Sequence, residues 1–322
     1  MPLIVSHREA LPAFRVLEQE RVPLIPQSRA ERQDIRPQNI GILNLMPTAA
    51  KEATEIQYLR LLARSPLQIN PYLVYFDNHK SASAGDHLER FYVKFSEIKE
   101  IGLDGLIITG ANLEHYEFEQ VRYWEEFKDF VLWADAHVTS TIYGCWASHA
   151  GLYIHYGIKR VNLGTKRLGV FPHRVHHEHG CMLTQSMDDD VNIPYSRWTG
   201  IPTEAVANVE DLQILIESET AGTHLIASQN GRRVFVQGHP EYDRDTLGNE
   251  YRRDIAMGIP VEMPQNYFPD NDPSKQPRCS WLANAQVFYS NWINFIYQNT
   301  HFDPLKPLME PGDASPAAEP KA

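Results

Sequence analysis

The sequence predicts an α/β fold, a mostly parallel sheet flanked by helices. Three observations carry this. Apolar, β-type runs alternate with stretches of helical periodicity through the first half of the chain. One of them passes through a tight glycine turn straight into a helix, at Gly144-Cys145-Trp146. Four segments rich in chemistry, Asn44–Pro47, Gly110–Glu114, Cys145 and His239, each follow such a run. Ligands of open parallel sheets bind at the carboxyl ends of the strands, so these four converge on one edge.

The elements follow in order. Residues 1–37 are polar and mixed, with Pro23, Pro26 and Pro37, and read as an arm packed on the body. The main domain runs from 38 to 305. Asn39–Leu45 is its first buried strand, stopped by Met46-Pro47. Glu52–Leu62 has helical periodicity, and Gln68–Phe76 alternates as a second strand. Asp104–Thr109 is a third, ending in Gly110. Tyr123–Ala136 is an amphipathic helix with Trp124, Phe127, Phe130, Val131 and Ala134 on its apolar face. Val138–Tyr143 is the next strand, and Trp146–Tyr156 the next helix, ended by Gly157. Residues 158–205 are less regular. Arg233–Gln237 is a further short strand. From 306 to 322 the chain is rich in Pro and Ala without apolar periodicity, and a disordered tail is expected.

Composition limits the function. With 322 residues and 43% hydrophobic content, the chain can build a sizeable core. A net charge of −11 argues against nucleic acid or an anionic membrane as the main partner. No apolar run is long enough to span a bilayer, and the first residues lack the layout of a signal peptide. Cys145, Cys181 and Cys279 are far apart and odd in number, which implies no disulfide framework and fits a reducing cytoplasm. His173, His176, His177 and His179 have no second group spaced to close a metal site, so no metal is expected and the run reads as a solvated loop or hairpin.

Cys145 sits where a thiol gains most from its surroundings. At a helix N-terminus it faces the positive end of the helix dipole, and the first N–H groups can receive an oxyanion. His239 follows a strand, with Glu241 two residues on. Taken alone, a cysteine is usually a small buried apolar residue, and His-x-Glu arises by chance. Placed together after strands, Cys145, His239 and Glu241 make a nucleophile, a base and the group that orients the base.

Several segments together resemble the homoserine O-acyltransferases of methionine biosynthesis, the branch with a class I glutamine-amidotransferase-like (flavodoxin-like) fold. They are Ile35-Arg-Pro37, Leu43-Asn-Leu-Met-Pro47, Leu59-Arg-Leu-Leu62 with Ser65-Pro-Leu-Gln68, Asp104-Gly-Leu-Ile-Ile-Thr-Gly110, His137-Val-Thr-Ser-Thr141, Cys145-Trp146, Gly238-His-Pro-Glu-Tyr-Asp243 and Asn266-Tyr-Phe-Pro-Asp-Asn-Asp-Pro273. The resemblance spans roughly residues 35 to 303. It implies that Cys145 carries the acyl thioester, that His239 accepts the proton and that Glu241 orients it. By the same resemblance Lys166 binds substrate, Ser196 bears on substrate choice, and Arg253, rather than its neighbour Arg252, holds the amino-acid carboxylate. Relatives with glycine at the place of Glu114 resemble succinyl-CoA users, and those with glutamate resemble acetyl-CoA users. A glutamate facing a succinyl carboxylate would repel it, which agrees.

The expected activity is therefore acetyl transfer from acetyl-CoA, a co-substrate, to the hydroxyl of L-homoserine, with no permanently bound cofactor. A homodimer is implied by the family. Alternatives are serine as acceptor, succinyl-CoA as donor, a glutaminase-like hydrolase and a catalytically silent binding module. Two departures from the pattern lie near the site mouth. Ala147-Ser148-His149 stands where many relatives have a small residue followed by Ala-Gln. The segment after Pro47 is about two residues longer than usual, so that Lys51 is the nearest lysine to that proline.

Overall fold

A computed structural model describes residues 3–5, 11–33, 36–78 and 85–300. The chain opens with strand β1 (Leu3–Val5), helix α1 (Pro12–Gln19), β2 (Leu24–Pro26) and the short α2 (Gln27–Ala30). Then come β3 (Gln38–Leu43), α3 (Thr48–Leu62), β4 (Ile69–Tyr75), α4 (Gly85–Phe91), β5 (Tyr92–Lys94), α5 (Phe95–Ile101) and β6 (Gly105–Ile108). The nucleophile region is α6 (Trp124–His137), β7 (Ser140–Gly144) and α7 (Trp146–Tyr156). Beyond it lie β8 (Val161–Val175), β9 (Asp190–Gly200), α8 (Thr203–Ala207), β10 (Leu212–Ser218), β11 (Gly222–Ser228) and β12 (Arg233–Val236). Helices α9 (Thr246–Ala256) and α10 (Leu282–Asn299) complete the described chain.

The strands form one sheet in the order β2-β1-β4-β3-β6-β7-β12-β11-β10-β8-β9, with β5 also paired to β4. Every pairing from β2 through to β12 is parallel, and those from β12 to β9 are antiparallel. The α/β class with a mostly parallel sheet is thus the observed one.

Alternation along the central strands builds a core on each side. Ile40, Ile42, Ile107, Ile142, Val234 and Val236 join one apolar cluster, which includes Leu17 of α1, Leu59 of α3 and Trp292 of α10. Their sequence neighbours Leu43, Leu106, Ile108, Tyr143 and Phe235 join the other, with Ile98 of α5, Phe127 and Phe130 of α6, and Ala147 of α7. A period of two in the strands therefore sorts the helices onto two faces. The five apolar residues expected on α6 are its buried ones.

The structure refines three expectations. Within the N-terminal segment, β1 pairs in parallel with β4 and β2 with β1, so this segment adds two strands to the sheet. Three-residue strands are too short to leave a periodic signal. The helix expected from Glu52 begins earlier, at Thr48 directly after Pro47, so that Lys51 lies within α3. The irregular stretch 158–205 is mostly a long antiparallel hairpin, β8 with β9. His173 lies inside β8, buried, with its ring nitrogens bonded to Phe171 O and the Tyr195 hydroxyl. His176 instead lies near the surface between Glu178 and Glu217. The expected tail from residue 306, and Ile35, lie outside the described residues.

Candidate active site

β3, β6, β7 and β12 are consecutive neighbours and run parallel, so their carboxyl ends lie side by side. Register aligns them, with Leu43 beside Ile108, Ile108 beside Tyr143, and Gly144 beside Val236. The segments after these four strands are Asn44–Pro47, Gly110–Glu114, Cys145 and Gly238–Glu241. The chemistry-bearing residues expected at one sheet edge are brought to one edge.

Cys145 is the N-cap of α7 and has φ 48° and ψ −113°. That left-handed backbone is strained for a residue with a side chain, and it persists because both flanks hold it. The Cys145 N–H donates to Val236 O at 2.7 Å, while its carbonyl accepts from Ser148 and His149 in the first turn of α7. The sharp turn lifts the thiol off the strand end and leaves the first N–H groups of the helix directed toward it. Close approach explains a neighbouring glycine. A Cβ on Gly110 would come within 3.2 Å of the Cys145 Cβ and 3.8 Å of its Sγ.

His239 is anchored from behind. Its N–H donates to Pro194 O of β9 at 2.8 Å, and the preceding Gly238 N–H donates to His224 Nδ1. The ring stacks on Tyr242 with centroids 4.1 Å apart. Nδ1 lies 2.8 Å from Glu241 Oε1. A carboxylate oxygen only accepts, so Nδ1 carries the proton and Nε2 is left for another partner. Cys145 lies near enough to act electrostatically on the same ring. Burial disfavours charge on His239, but the negative charges of Cys145 and Glu241, with the hydrogen bond to Glu241, outweigh it and hold its pKa well above the ordinary value. The imidazole is thus placed between a thiol and an orienting carboxylate, both buried with it or nearly so.

The remaining expected residues fall into two groups. Lys166 on β8 and Arg253 on α9 meet at one carboxylate. Lys166 Nζ is 2.6 Å from Asp254 Oδ2, and Arg253 Nη2 is 2.7 Å from Asp254 Oδ1. Ser196 on β9 is half-buried and pairs in register with Leu168, two residues beyond Lys166. Glu114 is half-buried in the turn after β6, within electrostatic range of Arg160. Lys51 on α3 donates to Asn44 O at 2.7 Å and lines a cavity of about 260 Å³ at the ends of β3 and β4, together with Leu45, Met46, Tyr75 and Tyr123. Asp254, which joins the two cations, carried no signal in the sequence beyond following Arg253.

Among the described residues, no group of three or more His, Cys, Asp and Glu is placed to hold a metal ion. No helix among them is long and apolar enough to cross a membrane.

Comparison with known proteins decides the family. The family model for homoserine O-succinyltransferase (HTS) matches residues 2–302. The chain belongs to that family. It is 46% identical to the homoserine O-succinyltransferase of Pseudoalteromonas translucida (strain TAC 125), over 94% of this chain and 95% of that one. It is also 46% identical to the homoserine O-acetyltransferase of Clostridium acetobutylicum, over 94% of this chain and 100% of that one. Among solved structures it is similar to a glutamine amidotransferase from Methylobacillus flagellatus, with 11% identity, a TM-score of 0.47, and coverage of 81% of this chain and 96% of that one. The family therefore holds both donor types at the same distance from this member, and overall identity does not choose between them.

Proposed function

We propose that this chain is a homoserine O-acyltransferase that works through an acyl thioester on Cys145 and takes acetyl-CoA as donor. One observation carries the mechanism: Cys145, at a strained strand-to-helix turn, shares the His239 ring with Glu241. The names of the relatives supply the homoserine acceptor.

In the first half-reaction the Cys145 thiolate attacks the thioester carbonyl of acetyl-CoA. The oxyanion is received by the first N–H groups of α7 and by the turn at Gly110. The carbon–sulfur bond to CoA breaks, and the departing sulfur takes a proton from His239 Nε2. In the second half-reaction the homoserine hydroxyl attacks the Cys145 thioester while its proton passes to His239 Nε2. Cys145 leaves as thiolate and the O-acyl ester is released. Glu241 keeps Nδ1–H fixed and offsets the charge on the ring in both halves. Arg253, half-exposed, supplies a guanidinium for the amino-acid carboxylate, with Lys166 and Ser196 beside it on the hairpin. A double displacement of this kind gives ping-pong kinetics.

The succinyl donor is the competing reading, favoured by the Pseudoalteromonas relative, and Glu114 is the residue that opposes it. A homodimer in a reducing cytoplasm completes the proposal, supported by the family resemblance and by three unpaired cysteines. The deciding experiment is mass spectrometry after mixing with acetyl-CoA alone. An acetyl adduct on Cys145, discharged by homoserine and not by serine or water, is expected. An adduct on Cys181 or Cys279, or retained turnover in Cys145→Ser, would remove the thioester mechanism.

A further inference from the structure

The backbone ladder that joins β7 to β12 stops at Gly144 beside Val236, before the chain reaches His239. Gln237 stands at that point, fully buried, with its N–H on His224 O at 2.8 Å. Its side chain reaches the first turn of α7. There Nε2 donates to Ser148 Oγ, and Oε1 lies 2.8 Å from His149 Nε2. The backbone N–H groups of Ser148 and His149 are those that hold the Cys145 carbonyl. One amide therefore connects the segment leading to the base with the helix turn that fixes the nucleophile.

Arg197 of β9 sets which way that amide points. A guanidinium only donates, and its Nη1 lies 3.3 Å from Gln237 Oε1. The amide oxygen faces it, which leaves the amide nitrogen for Ser148. His149 Nε2 then meets an oxygen and carries the ring proton, and Nδ1 accepts from the Thr199 hydroxyl at 3.3 Å. Thr199, His149, Gln237 and Ser148 thus form one chain of donors and acceptors, all of them buried. Arg197 is itself braced. Its Nη2 donates to Ala221 O at 2.7 Å, and the guanidinium lies over the Tyr195 ring, 4.4 Å from the centroid. Desolvation, and then the Arg197 charge, lower the His149 pKa to about 3, so the ring is neutral and the arrangement persists through the neutral range.

We propose that Gln237 is a positioning residue for the triad, whose amide ties the segment before His239 to the first turn of α7 and so sets the base against the Cys145 thiol. This rests on the triad reading given above. A glutamine that merely fills buried space could be exchanged for methionine at a cost in stability alone. One that sets the triad also slows the chemistry at Cys145 when it is lost.

The test is a double-mutant cycle of Gln237→Met and Ser148→Ala with two readouts. One is steady-state acyl transfer. The other is the rate at which iodoacetamide alkylates each cysteine, resolved by mass spectrometry, which needs no acyl substrate. Thermal unfolding checks that each variant is folded. Gln237→Met is expected to lower kcat by about tenfold or more, the loss of at least two buried hydrogen bonds, and to leave the homoserine KM within about twofold. Alkylation of Cys145 should slow by about threefold or more as the base loses its alignment, with Cys181 and Cys279 within about twofold of wild type. Ser148→Ala alone should lower kcat about fivefold, and in the Gln237→Met background it should have no more than about a twofold effect on either readout. Full kcat in either variant, losses that multiply in the double variant, or faster alkylation at all three cysteines would overturn the proposal. Where Gln237→Met does not fold, Ser148→Ala decides, through the same split between kcat and KM and the same slowing at Cys145. If the wild type moves no acyl group at all, the function proposed above fails, and the alkylation cycle still decides the role of Gln237.

Discussion

Lys166 Nζ lies 2.6 Å from Asp254 Oδ2, with both side chains at most 5% exposed. Asp254 also binds Arg253 through its other oxygen, so a single carboxylate ties the hairpin to α9 and holds two cations. Burial works against charge on Asp254, yet Lys166 and Arg253 outweigh it and lower its pKa. Removing the carboxylate leaves a buried ammonium without its partner. Asp254→Asn should cost about 3 kcal/mol of stability, the lower end for a broken buried pair because Arg253 still reaches water. A depressed carboxyl pKa stabilises the fold above the unfolded value. The advantage of wild type over Asp254→Asn should thus be full at neutral pH and fade as pH falls below about 4. Denaturant unfolding of both proteins between pH 3 and 7 measures it; equal stability at pH 7 would refute the pairing.

The two adjacent arginines are distinguished by their partners. Arg253 engages Asp254, whereas Arg252 is exposed and, among the described residues, its side chain bonds only Asn249, one turn back on its own helix. Arg253→Ala should raise the homoserine KM at least tenfold while leaving acetylation of Cys145 by acetyl-CoA intact, since a lost charged hydrogen-bond pair is worth about that much. Arg252→Ala should change neither. Single-turnover acetylation and steady-state kinetics on both variants check this. Equal effects from the two would move the carboxylate site elsewhere.

How far the site was legible in the sequence depended on what each residue needs nearby. Cys145 was legible because its requirements are local: a β-type run, a glycine, a helix start. Glu241 was legible through its spacing from His239. Asp254 was not. Asp254 meets Lys166 across 88 residues, and no local pattern announces such a meeting. The longer parallel strands β3, β4, β6, β7 and β12 were readable from apolar runs. The β8–β9 hairpin was hidden by Pro172, Pro194 and alternating charge, which argue against strand in sequence but are tolerated in an antiparallel pair near the sheet edge.

Lys51 offers a test of burial by pH. Desolvation lowers its pKa to about 8, against a smaller opposing pull from Glu55. For a lysine with a depressed folded pKa, the unfolded chain binds the proton more tightly, so stability rises with pH between the folded and unfolded values. Wild type should therefore gain on Lys51→Met by on the order of 2–3 kcal/mol as pH rises from about 8 to about 10.5, and the difference should be flat below pH 7. Chemical unfolding across that range measures the difference. A gap that stays constant from pH 7 to 10.5 would show the ammonium to be solvated in the fold.

The donor rests on Glu114. Relatives named for succinyl and for acetyl transfer are equally similar to this chain, so overall identity does not choose between the donors. Glu114 follows β6, the strand beside the one that bears Cys145, and it is half-buried. Its charge acts on Arg160, whose pKa is lowered by burial and restored in part by Glu117 and Glu114. Among the described residues Arg160 Nη1 is buried without a hydrogen-bond partner. Wild type should accordingly use acetyl-CoA and use succinyl-CoA poorly, because a succinyl carboxylate would enter beside a like charge. Glu114→Gly removes that charge and its volume, and leaves a guanidinium in range with less negative charge around it. The ratio of succinyl-CoA to acetyl-CoA kcat/KM should then rise by about ten- to a hundredfold, each tenfold step being about 1.4 kcal/mol of differential transition-state binding. Arg160→Gln added to Glu114→Gly should cancel most of the gain if the guanidinium receives the new carboxylate. Kinetics with both donors at saturating homoserine decide the matter. A wild type that already prefers succinyl-CoA, or a ratio unmoved by Glu114→Gly, would take Glu114 out of the acyl pocket and remove the acetyl assignment with it.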